Sequence, residues 1–360
     1  MTSRVFKLLA FLAISLLLCA MVIGGTTAGQ DFLIARAIQD QMVNNRTDLY
    51  DEDAMRVLIC GSSSPLPAPK RAKACVAVFA AGRMWIVDVG PGSSANLSLW
   101  RIPLERIGAV LLTHFHSDHI GELGEVNFQT WTSGRSAPMD VYGGTGVERV
   151  VAGFAQAYEL DTSYRIAHHG AETMNPALAH MRPHTISPTT PGTPTVIVDQ
   201  DDLRISAFLV DHAPIEPALA YRFDWKGRSV IVSGDTVATE EMVQQANGVD
   251  LLVHEAQAQH IVKMLHDTAT EADLPLIAKI TADITDYHTS PTEVAEIANK
   301  AEVGLALLYH LTPAPRNLLM KRIFLRGVSD IRPDGIELAE DGTLVTLPIG
   351  SEAIEVSRIK

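Results

Sequence analysis

Short apolar runs, each closed by a polar or turn-forming residue, recur along the chain and set its reading. Met84-Trp85-Ile86-Val87-Asp88-Val89, Ala109-Val110-Leu111-Leu112 and Thr195-Val196-Ile197-Val198 are brief and rich in branched side chains, a pattern that predicts strands. Thr239 to Asn247 and Thr292 to Ala301 mix apolar and polar positions and predict helices. The second helix has a well-marked start, with Ser290 as N-cap, Pro291 in the first turn and Glu293 three residues after the cap. Asp224-Trp225-Lys226-Gly227-Arg228 predicts a hairpin, and Glu340-Asp341-Gly342-Thr343 a turn joining another strand pair. The order strand, strand, polar loop, helix occurs in both halves of the chain. It predicts an α/β fold, an αββα sandwich of two mixed β-sheets packed face to face and flanked by helices.

The N-terminus departs from this rhythm. Arg4 and Lys7 precede an apolar stretch from Leu8 to Ile23, followed by Gly24-Gly25-Thr26-Thr27-Ala28, so residues 1–28 are expected to be a signal peptide cut after Ala28. The apolar stretch falls short of the roughly 20 residues of a bilayer span, which favours export to the periplasm or the medium over a retained anchor. No stable membrane insertion is then expected after cleavage. An extension over 29–54 and one domain over 55–360 complete the expected organisation. At 360 residues and 47% hydrophobic, the chain has ample material for that core. Cys60 and Cys75 remain after the leader, and two readings stay open: a disulfide across a hairpin, or two small buried hydrophobes.

The densest chemistry lies in Thr113-His114-Phe115-His116-Ser117-Asp118-His119, directly after an expected strand. His114 and His116, two residues apart at a strand end, point the same way, and the chain must turn before Asp118 and His119 face a second point nearby. One loop can therefore feed two metals. Imidazole and carboxylate are ordinary zinc ligands, and a site short of protein ligands keeps a position for water. Three further apolar runs end in polar residues of the same kinds: Ile205 to Val210 before Asp211-His212, Ser229 to Val232 before Ser233-Gly234-Asp235-Thr236, and Leu305 to Tyr309 before His310. Asp250 to Val253 leads into His254-Glu255, and Tyr287-His288-Thr289 precedes the capped helix. Strand alternation sends His254 away from the side that Glu255 faces.

From about Arg56 to about Leu347 the chain resembles the metallo-β-lactamase superfamily, most closely its ribonuclease Z-like branch. The resemblance implies that His114, His116 and His212 hold one metal, that Asp118, His119 and His310 hold a second, and that Asp235 bridges them. It implies two Zn2+, with Mn2+ or Fe2+ as alternatives, and a metal-dependent hydrolase of ester bonds. Glu255 and His288 resemble the carboxylate and histidine pair that in this branch stands beside the scissile phosphate, and Asp118 is also a candidate to hydrogen-bond the attacking water.

Charge then narrows the expected substrate. With 29 basic and 42 acidic residues the formal charge is −13, and loss of Arg4 and Lys7 leaves 27 against 42. Proteins that grip long nucleic acids normally carry a basic footprint, and none is visible in the sequence. The stretch from His168 to Pro194 holds His168, His169, His180 and His184 but few Lys or Arg, and reads as a rim rather than a clamp for tRNA. Tyr158 to His169 resembles a segment of exported bacterial arylsulfatases; Arg165 within it could neutralise an anion or pair with Asp161. The expectation is therefore an exported hydrolase of a small anionic ester, phosphodiester or aryl sulfate, with no long nucleic acid as partner and a homodimer left open. The alternatives are a ribonuclease Z-type endonuclease and a non-catalytic exported metal-binding protein.

Overall fold

The computed structural model of the protein describes residues 11, 23–43, 45–187 and 192–359, so most of the expected leader and the segment 188–191 lie outside the described residues. Contacts divide the chain into two units, residues 1–46 and 47–360. The first contains the helix Thr27–Val43. Among the described residues, no helix is long and apolar enough to cross a membrane.

Among the described residues, the second unit carries fifteen strands. One sheet takes β1 (Ala54–Gly61), β2 (Cys75–Ala80), β3 (Arg83–Val87), β4 (Ile107–Leu111), β5 (Met139–Gly143) and β6 (Met181–Thr185). The other takes β7 (Thr195–Gln200), β8 (Leu203–Val210), β9 (Ala218–Trp225), β10 (Arg228–Val232), β11 (Leu251–Gln257), β12 (Leu305–Thr312) and β13 (Ile336–Leu338). The chain then returns to the first sheet with β14 (Thr343–Pro348) and β15 (Glu355–Arg358), giving the orders β15-β14-β1-β2-β3-β4-β5-β6 and β13-β12-β11-β10-β9-β8-β7. Both sheets are mixed: β3 to β6 and β10 to β13 are parallel, and the remaining neighbours are antiparallel.

Alternation along the strands explains the layers. Val57, Ile59 and Leu111 of the first sheet meet Tyr221, Phe223 and Leu307 of the second in a shared inner core. Their neighbours Leu58, Cys60 and Phe79 face outward and are covered by Leu97, Leu123 and Val126 from the helices Ser93–Leu99 and Leu123–Thr132. Ile231, Leu252 and Leu308 do the same on the other side, under Met242, Val294 and Ile297 of the helices Glu240–Gln245 and Pro291–Lys300. Both faces of each central strand are buried, which is why the sequence shows continuous apolar runs rather than strict alternation. Truncating Phe223 to Ala would cost about 3–5 kcal/mol. The sandwich is the expected αββα arrangement.

Several local expectations meet their structure here. The predicted hairpin joins β9 to β10 through Lys226 and Gly227, both at positive φ, as a two-residue turn between right-twisted strands requires. The Ser290 cap forms the reciprocal box with Glu293. Cys60 and Cys75 form a disulfide. One reading is corrected. Glu340 to Thr343 does not close a hairpin: β13 and β14 lie in different sheets, and turn chemistry alone does not say which sheet receives the next strand. Within the expected rim from His168 to Pro194, the helix Val147–His169 runs to its second histidine and β6 adds an edge strand beside β5.

The topology also defines a functional edge. β1 and β3 are both antiparallel to β2, so β1 runs with β3 and β4, and β10, β11 and β12 run together in the second sheet. The expected metal-binding residues follow, or stand near, the C-terminal ends of β4, β8, β10 and β12.

Candidate metal centre

All seven expected metal-binding side chains converge at that edge. One ligand atom from each of His114, His116, His212 and Asp235 lies within 4.8 Å of the others, and the same holds for Asp118, His119 and His310. Asp235 joins the two sides: its Oδ2 is 3.4 Å from His119 Nε2 and 3.9 Å from both His114 Nε2 and His212 Nε2, while its Oδ1 is 3.3 Å from His310 Nδ1. His310 Nε2 lies 3.1 Å from Asp118 Oδ2. Every member except His116 is buried.

Local backbone geometry supplies the aim. His116 caps the short helix Ser117–Ile120, which turns Asp118 and His119 back toward the strand end. His310 sits at a bulge: Glu255 pairs with Tyr309 and Ala256 with Leu311, leaving His310 as the extra residue, at φ 44°. A bulge re-aims a side chain that strand alternation would send elsewhere, and a left-handed non-glycine backbone is retained only where its surroundings enforce it.

The polar atoms facing the centre fit divalent cations. His119 Nε2, His212 Nε2, Asp235 Oδ1 and His310 Nδ1 are buried without a hydrogen-bond partner. Each unsatisfied buried group costs about 1–3 kcal/mol; here the orphans face one another, and coordination of divalent metal would satisfy them together. The opposite ring nitrogens are anchored by protein. His119 Nδ1 is 2.7 Å from Asp88 Oδ2, His212 Nδ1 is 2.9 Å from the Tyr287 carbonyl, and His114 Nδ1 is 3.1 Å from Thr113 Oγ1. Such partners set the tautomer and direct the other nitrogen at the metal.

Electrostatics express the same design. Burial, and next to it His119, holds the His114 imidazole well below its ordinary pKa. At His119 burial also works against charge, but Asp235 and Asp88 outweigh it and raise the pKa well above the ordinary value. Burial opposes ionisation of Asp235, yet His310 and His119 hold its carboxyl well below the usual range.

Beside the cluster, His288 Nδ1 is 2.8 Å from Glu255 Oε1, and the His288 ring lies within reach of Asp235 and His310. Glu255 Oε1 also accepts from the backbone N–H of Thr289, so the carboxylate holds both the ring and the loop that presents it. Burial lowers the His288 pKa, but Glu255 and Asp235 together outweigh it and raise it to about 9. His254 points to the opposite face and is fully buried, with Nδ1 2.8 Å from the Glu255 carbonyl.

Other sequence candidates stay outside. His168 and His169 are exposed at a helix end, and His184 pairs with Asp140 at 2.7 Å while stacking on Tyr142. Arg165 pairs with Asp161 at 2.8 Å, the structural alternative for that residue. Asp88 was not singled out as a site residue. It carries the same signature as the others, a carboxylate closing an apolar run, but stands 26 positions before the motif it serves; it also accepts from the Thr113 N–H and hydroxyl.

Comparison with known proteins agrees with this geometry. Residues 83–311 match the family model described as beta-lactamase superfamily domain. The ribonuclease Z of Mycobacterium bovis (strain BCG / Pasteur 1173P2) is 33% identical over 263 residues, 72% of this chain and 87% of that protein. The ribonuclease Z of Mycolicibacterium gilvum is 32% identical over 262 residues, 72% of this chain and 85% of that protein. Human tRNase Z, short form, superposes with a TM-score of 0.58 at 22% identity, covering 82% of this chain and all of that one. These relatives correct one expectation: similarity over most of the chain to enzymes named for RNA overturns the exclusion of long nucleic acid that had rested on net charge. Matching family model, shared sandwich and converging histidines and aspartates together place the chain in the metallo-β-lactamase superfamily of hydrolases, within its ribonuclease Z-like branch.

Proposed function

We propose that the protein is a two-metal phosphodiesterase whose substrate class is RNA. The observation that carries this reading is the His288–Glu255 pair, 2.8 Å apart, beside the converged cluster in a chain 33% identical to a ribonuclease Z. His114, His116 and His212 would hold one divalent metal, Asp118, His119 and His310 the other, and Asp235 both; zinc suits the histidine-rich donors. Bound there, the metals would supply an acidified water with a pKa of about 7 and polarise the phosphoryl oxygen. Asp118 would accept a hydrogen bond from that water. His288, oriented by Glu255, donates a proton to the departing oxygen, a role usually worth about 10²–10⁴ in rate.

A second reading, a small phosphodiester or aryl sulfate, is favoured by a cleft of about 800 Å³ bordered by His212, Thr145 and Glu216, a size suited to small ligands. Metal-analysed protein should be assayed on a tRNA precursor, on bis(p-nitrophenyl) phosphate and on p-nitrophenyl sulfate. The RNA reading predicts precursor cleavage that His116→Ala abolishes. Full turnover of a small ester with intact RNA at the same metal loading would replace it by the second reading, and no turnover of any ester would leave a metal-binding protein. We also propose export, with the leader 1–28, the extension 29–54 and the hydrolase domain 55–360; the Cys60–Cys75 disulfide supports an oxidising compartment. Recovery of the processed protein from the reduced cytosolic fraction would exclude it.

A further inference from the structure

The same edge carries a second feature. A pocket of about 530 Å³ lies where the loop after β1, the segment after β12, the turn before β14 and the end of β15 meet. Its cations are Lys70, Arg71, Arg316, Lys321 and Arg358; its acids are Glu340 and Asp341. Both Asp341 oxygens are already engaged, Oδ1 by Ser62 and Oδ2 by the Ala72 N–H and Asn96. Glu340 alone serves three cations, at 2.7 Å from Lys321, 2.5 Å from Arg358 and 3.7 Å from Arg71. Lys70 and Arg316 are exposed and have no carboxylate partner among the described residues. In a chain of formal charge −13, this concentration of unmatched positive charge in one concave site calls for an anion.

The pocket is connected to the candidate metal centre through the chain. Leu311, next to His310, donates its N–H to the Ser62 carbonyl at 3.0 Å, so the loop that carries Lys70 and Arg71 is tied to the strand that carries a candidate metal ligand. Arg316 follows His310 by six residues, a span of at most about 20 Å. We propose that this pocket is a phosphate-binding subsite for a nucleotide flanking the scissile bond of the RNA, with Lys70 and Arg316 making the contacts and Arg71, Lys321 and Arg358 supplying the surrounding field. The inference rests on the RNA reading above.

The test is fluorescence anisotropy of an end-labelled short single-stranded RNA on the metal-loaded enzyme, with RNA integrity checked after each titration. Lys70→Ala/Arg316→Ala removes two side chains that hold no ion pair. It should weaken binding about tenfold and reduce the slope of log Kd against log salt by about 1 to 2. Where the RNA is cut, KM should rise by the same factor with kcat unchanged. Lys263→Ala/Lys279→Ala removes equal charge from two exposed helical pairs elsewhere and should leave both quantities unaltered. Wild-type affinity in the pocket variant, an equal loss in the control variant, or absence of RNA binding by the unmodified enzyme would overturn the subsite. Failure of the RNA phosphodiesterase reading alone would look different: RNA bound through Lys70 and Arg316 but recovered whole.

Discussion

The metal centre and the cationic pocket share one edge of the sandwich, yet they are built on opposite principles. In the centre, buried carboxylates and imidazoles face one another, with unpartnered atoms that divalent cations would satisfy. In the pocket, an exposed Arg358, a partly exposed Lys321 and a largely buried Arg71 surround one overcommitted carboxylate, the first two under solvent screening. Low dielectric makes each group in the first indispensable, whereas screening makes each group in the second a partial contributor. The difference teaches that chemistry and substrate grip can sit side by side while tolerating mutation very differently.

The largest effect that tests this contrast is His116→Ala, which should remove metal and turnover together; full activity in a metal-analysed sample would break it. Next comes His288→Ala, for which kcat should fall by about 10²–10⁴ while metal content and RNA affinity remain. A parallel loss of bound metal would instead make His288 a ligand. Asp88→Asn keeps the shape but removes the charge 2.7 Å from His119 Nδ1. Metal affinity should drop about 10–100-fold in a chelator competition, the size expected for a partner that orients a ligand. The smallest effect lies in the pocket. Lys321 first, then Arg358 and Arg71, hold the Glu340 carboxyl below its ordinary 4.5, so its contribution to stability is present above that pH and lost as pH falls through the lowered value. Glu340→Gln should therefore lower the denaturation midpoint modestly at neutral pH, with the gap closing in acid, and RNA should bind a few-fold tighter once the competing carboxylate is gone. A constant gap across pH would mean that Glu340 acts through packing.

Legibility in the sequence follows the same division. His114, His116, Asp118 and His119 could be read because one strand end and one turn place four donors within six positions. Glu255 and His288 could be read because a strand end and an explicit helix cap mark them. Asp88 escaped notice because nothing local links it to His119; only the packing of β3 against β4 does. The re-aiming of His310 by a bulge was equally invisible, since a bulge depends on the register with β11. The inference from net charge failed for a related reason: a sum over the chain does not report where charges gather. Lys70, Arg316 and Arg358 come from three distant segments, and only Lys70 lies in a basic run, the short Lys70-Arg71-Ala72-Lys73.

By itself, then, the amino-acid order determined the layered architecture and the kind of chemistry, because apolar runs specify buried strands and clustered histidines with aspartates suit divalent cations such as zinc. Only the tertiary structure decided which sheet takes the final strands, which carboxylate steadies His119, and that dispersed lysines and arginines meet in one pocket. Those outcomes depend on contacts between residues far apart in the chain, and such contacts exist only once the two sheets have packed.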